Sequence, residues 1–402
     1  MTTGLEIPHR RSGPELLVLP SLSARLDEGE FVLTQKYLDG IDQYARWWPG
    51  RLTSLVHVRE ESTTDMDHVT VDQSHYNVEV RPVDQHDLAA RVHSAALVLL
   101  PLSGDELETA LICRQKGVPI VFIAEYSLRT EFQIIRSLDK APHRKLRSMV
   151  WTLGNHFKRM RALRLADGLQ CSGLPTYLNY RDKLDNVMLF FDNRVRKAEL
   201  IDEDMLNKRL EMLNGDGPIR LLYGGRFLPM KGVMQLLEVA GHLRDTGLPF
   251  HMEIVGDGPL DATLRSAVTS GNLERFVSVH PPLDFQSGWI PKMKLDADLF
   301  VCCHPQGDPS STYTETMSCG LPIVGYANEA FAGLTEYSGI GWSTPMNTVE
   351  VAKKIIQLSE DRAQIKKASL DARNFAASIM FEPTFQGRIQ HLCEIANLER
   401  HS

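Results

Sequence analysis

Several features that would assign this chain to a common protein class are missing from its sequence. No apolar run approaches the roughly 20 residues that a membrane-spanning helix needs. The first residues, MTTGLEIPHRRSGPE, lack the apolar core of a secretion signal. The chain also has no GxGxxG with a later acidic partner and no GxxxxGK[ST], which argues against dinucleotide oxidoreductases and P-loop NTPases. A net charge of −7 gives no global attraction to nucleic acid. Any anion site must therefore be built locally.

Cysteine is scarce and follows no pattern. The six cysteines stand mostly in apolar stretches, with no CxxC motif and no even spacing. This predicts buried free thiols in a reducing, cytoplasmic compartment and argues against a disulfide framework or a zinc site. Cys302, Cys303 and His304 are adjacent, but neighbouring residues on a strand point to opposite faces and do not easily share one metal ion.

The length and the rhythm of apolar segments predict two α/β domains. A chain of 402 residues is too long for one hydrophobic core. Short apolar strands separated by amphipathic helices indicate doubly wound parallel sheets. The predicted strands are Leu16–Leu19, Ser54–Val58, Ala96–Leu100, Ile120–Ile123 and Gly168–Cys171 in the first half, and Ile219–Tyr223, His251–Val255, Val277–His280, Leu299–Cys302 and Ile323–Gly325 in the second.

We place the first domain at residues 1–190 and the second at 195–380. The boundary follows the apolar strand Val187–Phe191, where the chain becomes charged. A last helical stretch, Pro383–Leu398, follows the alternating strands and helices that are predicted to form the second sheet. Two such sheets in series place ligands outside the carboxyl ends of their strands, so we expect the site in the cleft between the domains.

The segment IRLLYGGRFLPMKG, residues 219–232, carries the strongest local signal. Its strand ends at Gly224 and Gly225, where missing side chains let a ligand approach the backbone. Arg226 and Lys231 follow on the same loop. A guanidinium and an ammonium at the end of a strand suit a diphosphate. The alternative is a solvated loop with two surface cations.

A second signal lies in HPQGDPSSTYTETMSCGLPIVGY, residues 304–326. Ser310, Ser311 and Thr312 are predicted to open a short helix, whose free N–H groups and positive dipole end form an anion site. Glu315 lies one turn further and can accept hydrogen bonds from ribose hydroxyls. The alternatives are an ordinary N-cap for the hydroxyl residues and a capping carboxylate for Glu315.

Together these segments resemble the donor half of the family 4 retaining glycosyltransferases, which have the GT-B fold of two Rossmann-like domains facing across a cleft. The resemblance spans residues 219–326. It is carried by GGR ending at Arg226 with the following Lys231-Gly232, by IVGDGP at 254–259, by ADLFV at 297–301 and by ETMSCGLP at 315–322.

The resemblance implies a role for each of these groups. Arg226 and Lys231 hold the donor's diphosphate, the N–H groups at 310–312 contact phosphate and sugar, and Glu315 is the second glutamate of the EX7E motif. It further implies a metal-independent, cofactor-free hexosyltransferase that uses a UDP- or GDP-sugar. The acceptor is a growing polysaccharide, a lipid-linked sugar or a small molecule. The helix at about 383–402 is expected to cross back onto the first domain.

Two positions depart from the family pattern. Gly307 stands where the first EX7E glutamate is expected, and Asp308 is the predicted substitute. A histidine is common after the fifth strand of the first domain, whereas this chain has Glu125 there. We therefore consider Glu125 a candidate catalytic residue, with a buried glutamate paired with Arg129 as the alternative.

Residues 143–164 form a basic segment in an acidic protein. The stretch from Lys140 to Ala166 contains no acidic residue, and apolar residues recur in it at helical spacing. Such a helix either rests on an anionic membrane or guides an anionic acceptor. Alternatively, its apolar stripe covers the first sheet and leaves a solvated basic rim.

Three functions are compatible with these residues. The first is sugar transfer with retention, with no essential side-chain nucleophile and with the leaving diphosphate accepting the acceptor's proton. The second is a nucleotide-sugar 2-epimerase or a phosphorylase of the same fold. The third is a non-catalytic protein that keeps a nucleotide-sugar pocket.

Overall fold

The computed structural model describes residues 12–59, 68–72, 76–81, 85–138 and 140–398. Residues 1–11, which contributed to the argument against a secretion signal, lie outside the described residues. So do residues 399–402 at the end of the predicted last helix.

Ten strands form the first sheet within these ranges, and short apolar segments supply its centre. The strand order is β10-β9-β8-β7-β1-β4-β2-β3-β5, with β6 also paired to β4. The strands are β1 Glu15–Val18, β2 Ser23–Asp27, β3 Glu30–Thr34, β4 Arg51–Arg59, β5 His68–Thr70, β6 Val78–Val80, β7 Leu97–Pro101, β8 Ile120–Ala124, β9 Gly168–Ser172 and β10 Val187–Phe190. The helices are α1 Gln35–Trp47, α2 Gln85–Ser94, α3 Leu107–Lys116, α4 Leu128–Ser137, α5 Pro142–Leu163 and α6 Leu174–Tyr180.

The first sheet departs from the predicted parallel arrangement at one edge. Strand β3 runs antiparallel to both β2 and β5. Between β2 and β3, Glu28 and Gly29 have φ values of 48° and 88°. Two left-handed residues in a two-residue connection make a tight hairpin whose twist matches its strands. The segment is rich in charge, which hid it from a search for apolar strands.

The second sheet contains six parallel strands in the described residues, in the order β13-β12-β11-β14-β15-β16. All five strands predicted there are confirmed, with both ends within one residue. The strands are β11 Ile219–Gly224, β12 Phe250–Val255, β13 Val277–His280, β14 Leu299–Cys302, β15 Ile323–Tyr326 and β16 Trp342–Thr344. The helices are α7 Glu203–Met212, α8 Val233–Asp245, α9 Asp261–Ser270, α10 Ile290–Leu295, α11 Ser311–Ser318, α12 Glu329–Ser338, α13 Thr348–Glu360, α14 Arg362–Ala376 and α15 Phe381–Ile395.

The last helix, α15, returns to the first sheet. It packs on α1, where the rings of Phe385 and Tyr44 meet edge to face at 5.4 Å between centroids. It also packs on β9, where the buried Gln170 donates a 2.9 Å hydrogen bond to the carbonyl of Arg388. The chain thus ends by joining its second half to its first.

Helix α5 packs on α3 and α4. The interpretation that its apolar residues cover the first sheet is confirmed only at its carboxyl end, where Met160 and Leu163 pack against the core of that sheet. The preceding apolar residues, Leu146, Val150, Leu153 and Phe157, are exposed. Among the helices in the described residues, none combines the length and the apolar character that crossing a bilayer requires. All six cysteines are free and buried, as the apolar context of their segments predicts.

Candidate functional site

A cavity of about 320 Å³ opens at the carboxyl ends of β11 and β12. Parallel strands end at one edge of a sheet, so the loops that follow them meet there. The cavity is lined by residues of the segment 224–231, which we call the β11 loop, and by the start of α11. Two cations from outside the second sheet also line it. These lining residues are Gly224, Gly225, Arg226, Lys231, Ser310, Ser311, Thr312, Glu315, Lys36 and Arg194.

The two predicted cations of the β11 loop face the same cavity. Arg226 follows Gly225 directly, and a short helical turn at Pro229–Lys231 brings Lys231 back to it. Beside them, the space that a Cβ at Gly224 would occupy is taken by the indole of Trp289, 2.2 Å from that position. Glycine is therefore needed at position 224 because the Trp289 side chain packs against its backbone, and not only because a ligand could approach the backbone there.

Asp308 holds Lys231 in place. The Lys231 Nζ lies 2.8 Å from Asp308 Oδ2, and both side chains are nine-tenths buried. Burial alone would raise the pKa of Asp308, but the charge of Lys231, with smaller contributions from His304 and from hydrogen bonds, brings it below its ordinary value. The other oxygen, Oδ1, is buried without a hydrogen-bond partner in the described part of the chain.

The prediction that Asp308 replaces a sugar-contacting glutamate therefore needs correction. Asp308 is not among the residues that line the cavity, and its carboxylate faces the lysine. The preceding Gly307 lies against the first domain. Its N–H donates to the side chain of Gln133, and its carbonyl accepts from Thr130. A Cβ at Gly307 would come within 2.8 Å of the Glu329 Cβ, so this position leaves no room for a glutamate.

The start of α11 presents its positive end to the cavity. The helix begins at Ser311, and the side chain of the N-cap residue Ser310 accepts no hydrogen bond from the backbone N–H groups of the first turn. Instead, the Ser310 hydroxyl donates to the hydroxyl of Thr312 at 3.2 Å. The ordinary capping bond is thus not formed, although Ser310 occupies the N-cap position. N–H groups at a helix start favour an anion.

Glu315 is buried one turn into α11 and reaches the same cavity. Burial raises the pKa of Glu315, while the charges of Arg194 and Lys36 counteract that rise only in part. Burial alone would lower the pKa of Lys36, but the carboxylate of Asp192, its ion-pair partner, raises it above its ordinary value. The floor of the cavity thus combines a carboxylate with cations from the other half of the chain.

Glu125 lies in a neighbouring cavity of about 250 Å³, lined mainly by the first domain. The two cavities share Lys36 and Arg194, so they adjoin. The side chain of Glu125 is open to the cleft, yet surrounding protein raises its pKa, as does the charge of Asp192. Arg129 lines a different groove. Within the described ranges, Glu125 forms no ion pair with Arg129.

Sequence reasoning missed three of the charged residues in this region. Lys36 lies in Thr34–Arg46, an amphipathic stretch whose pattern predicts a helix and no site residue. Asp192 and Arg194 lie at the predicted domain boundary. Phe285, which lies under the guanidinium of Arg194 at 4.4 Å from its ring centroid, was also missed. The one available signal was the charge cluster directly after β10. No local motif places these residues beside β11.

Comparisons with known proteins find glycosyltransferases among those to which this chain is similar. Residues 207–375 match the family model described as "Glycosyl transferases group 1". The amylovoran biosynthesis glycosyltransferase AmsK of Erwinia amylovora is 29% identical over 39% of this chain and 40% of its own length. The colanic acid biosynthesis glycosyltransferase WcaL of Escherichia coli, named as putative, is 25% identical over 36% of each chain. The matched segments thus span about two fifths of these relatives.

The likeness to solved structures extends over nearly the whole chain. Anabaena HepE in complex with UDP-glucose superposes with a TM-score of 0.65 at 17% identity, covering 95% of this chain and 100% of the other. Two α/β domains with their sheets facing one cleft define the GT-B class of fold. The chain has the GT-B fold, as predicted from its sequence.

Proposed function

We propose that this protein is a retaining, metal-independent glycosyltransferase that moves a hexose from a UDP- or GDP-sugar to a carbohydrate acceptor. The observation that carries the proposal is the convergence of Arg226, Lys231 and the uncapped start of α11 on one cavity. Breaking the bond between sugar and diphosphate leaves negative charge on the diphosphate. Preorganised donors and cations stabilise such charge most where water is excluded.

The same groups support a mechanism without metal. In the proposed complex, Arg226 and Lys231 neutralise the diphosphate, a task that a divalent ion performs in other transferases. Glu315 accepts hydrogen bonds from the ribose, which lies deeper against α11. The sequence-based assignment to family 4 remains part of this proposal, because the group 1 family match does not specify that subclass.

We assign the neighbouring cavity to the acceptor. Glu125 lies on that side, close enough to Asp192 for the two charges to interact, and we propose that it positions the reacting hydroxyl. The leaving diphosphate then accepts the proton of that hydroxyl. The names of AmsK and WcaL refer to amylovoran and colanic acid biosynthesis, which supports a growing polysaccharide or a lipid-linked sugar as acceptor. We also propose a cytoplasmic location, because six free, buried thiols suit a reducing compartment.

Nucleotide binding and turnover together test this function. UDP or GDP should raise the unfolding temperature, because a ligand that binds only the folded state stabilises it in proportion to its affinity and concentration. The matching nucleotide-sugar should then be consumed only when an acceptor is present. The measurements are thermal shifts with both nucleotides and product analysis with an acceptor panel. An epimer formed from donor alone would instead identify a 2-epimerase, and binding without transfer to any acceptor would identify a non-catalytic protein.

Glu315→Gln is expected to weaken UDP binding without lowering the stability of the protein at pH 8. Because the pKa of Glu315 is raised on folding, the folded protein binds a proton more tightly than the unfolded chain. Stability therefore falls as pH rises from the ordinary pKa of 4.5 to the raised value, and the cost persists above it. The variant, which mimics the protonated acid, should be at least as stable as the wild type at pH 8. Its UDP affinity should be weaker by about ten- to hundredfold, from the loss of a charged hydrogen-bond acceptor.

The measurements are thermal unfolding across pH and calorimetric titration with UDP. Glu350→Gln, in the first turn of α13, where the partly exposed Glu350 pairs with the exposed Lys353, is a matched control that should change neither quantity. A Glu315→Gln protein that is less stable at pH 8 and binds UDP normally would contradict the assigned role.

A further inference from the structure

Helix α5 exposes a stripe of large apolar side chains. Leu146, Val150, Leu153 and Phe157 are spaced four, three and four residues apart, which places them on one side of a helix. The exposed fraction of each of these four residues lies between 42% and 64%. Trp151 is also exposed, at 65%, but lies outside this stripe, about 100° further around the helix than Val150. Single exposed apolar residues are ordinary, but a contiguous group of them indicates an interaction surface.

The opposite side of α5 fixes this orientation. Thr152, Arg159, Ala162 and Leu163 are buried, and the helix packs on α3 and α4 through that side. Arg159 forms an ion pair with Glu131 of α4. The helix is therefore anchored by one face, and the apolar stripe points away from the body of the first domain.

Positive charge flanks the stripe. No acidic residue occurs in α5, although the whole chain carries a net charge of −7. With 3.6 residues per turn, Arg147, Lys158 and Arg161 fall beside the stripe, and all three are exposed. An apolar band bordered by basic residues matches the boundary between anionic headgroups and acyl chains.

We propose that α5 binds the surface of an anionic lipid bilayer, with the stripe inserted between the headgroups and the flanking basic side chains contacting lipid phosphates. The positive charge beside the stripe favours an anionic bilayer over a second copy of the chain, and the apolar side chains favour it over a nucleic acid. A second copy of the chain docked on the same stripe would bring two rows of cations together, and a nucleic acid would leave the apolar residues in water. The inference uses no residue of the nucleotide cavity, so it stands or falls independently of the proposed function.

Sedimentation with lipid vesicles tests the proposal. The protein should bind vesicles of phosphatidylcholine mixed with phosphatidylglycerol and bind poorly to phosphatidylcholine alone. Arg147→Glu with Lys158→Glu, and separately Leu146→Ser with Phe157→Ser, should each weaken binding to the anionic vesicles by about tenfold or more. All four residues are exposed, so the unfolding temperature should not change.

Two further measurements locate the contact. Lys367→Glu with Leu370→Ser, exposed on α14, repeats the charge and apolar changes elsewhere and should leave vesicle binding intact. Anionic vesicles should shift the tryptophan emission to shorter wavelength, and Trp151→Phe should remove most of that shift. Equal binding to both vesicle types, or undiminished binding by both α5 variants, would overturn the proposal. So would a dimer that Leu146→Ser with Phe157→Ser converts to monomer while vesicle binding persists.

Discussion

Arg226→Ala is expected to reduce kcat by about 10²–10³-fold, the usual effect of removing one preorganised group that stabilises transition-state charge. Arg226 lines the cavity at the end of β11, beside Lys231 and opposite the start of α11. Its charge matters most when the sugar–phosphate bond is breaking, so the loss should be larger in kcat than in the affinity for UDP. Initial rates at saturating donor and calorimetric titration measure the two effects.

A matched arginine for a control variant lies at the opposite end of the strands of the same sheet. Arg275 is exposed and precedes β13, so it lies at the amino ends of the parallel strands, away from the cavity. Arg275→Ala should keep wild-type rates, and both variants should unfold at nearly the wild-type temperature. If Arg226→Ala retains full turnover, the diphosphate role assigned to the β11 loop is wrong.

The ion pair of Lys231 and Asp308 should show the second large effect, this time in stability. Asp308→Asn leaves a buried ammonium without its counter-charge and should lower the free energy of unfolding by about 3 kcal/mol. Because the pKa of Asp308 is lowered on folding, this contribution is present at neutral pH and is lost as pH falls through the lowered pKa. The difference between variant and wild type should therefore disappear in acid.

Nucleotide binding distinguishes the two partners. In Asp308→Asn, UDP should bind as tightly as in the wild type or more tightly, since the diphosphate no longer competes with a carboxylate for Lys231. In Lys231→Met it should bind much more weakly. The double variant should be more stable than either single one, because neither charge is left unpaired, but should not regain affinity. Additive losses of stability would show that the two side chains are not coupled.

The β11 loop shows how far local sequence reasoning reached. A strand ending in two glycines, followed by Arg226 and Lys231, was sufficient to predict a cation-rich turn at a sheet edge. Strand positions in the second half followed from the same kind of information, because fully buried parallel strands are continuous apolar runs. The hairpin of β2 and β3 was not predicted, because its segment is rich in charge and is not continuously apolar.

Positions 307 and 308 show where that reasoning failed. Alignment by spacing made Asp308 a sugar contact, whereas its burial and pairing with Lys231 depend on how the loop after β14 packs against β11. The two hydrogen bonds of Gly307 to side chains come from α4, which is more than 170 residues earlier in the chain. Spacing along a sequence does not encode such contacts.

The sequence by itself determined the class of fold and two of the cavity's walls, because strand periodicity, glycine turns and helix starts are local properties of the chain. Only the tertiary structure decided that Lys36 and Arg194 join those walls and that Asp308 serves a lysine. Only the tertiary structure, again, turned the apolar stripe of α5 outward. The physical reason is that side-chain burial and charge pairing depend on which surfaces meet, and the surfaces that meet here come from segments far apart in the sequence.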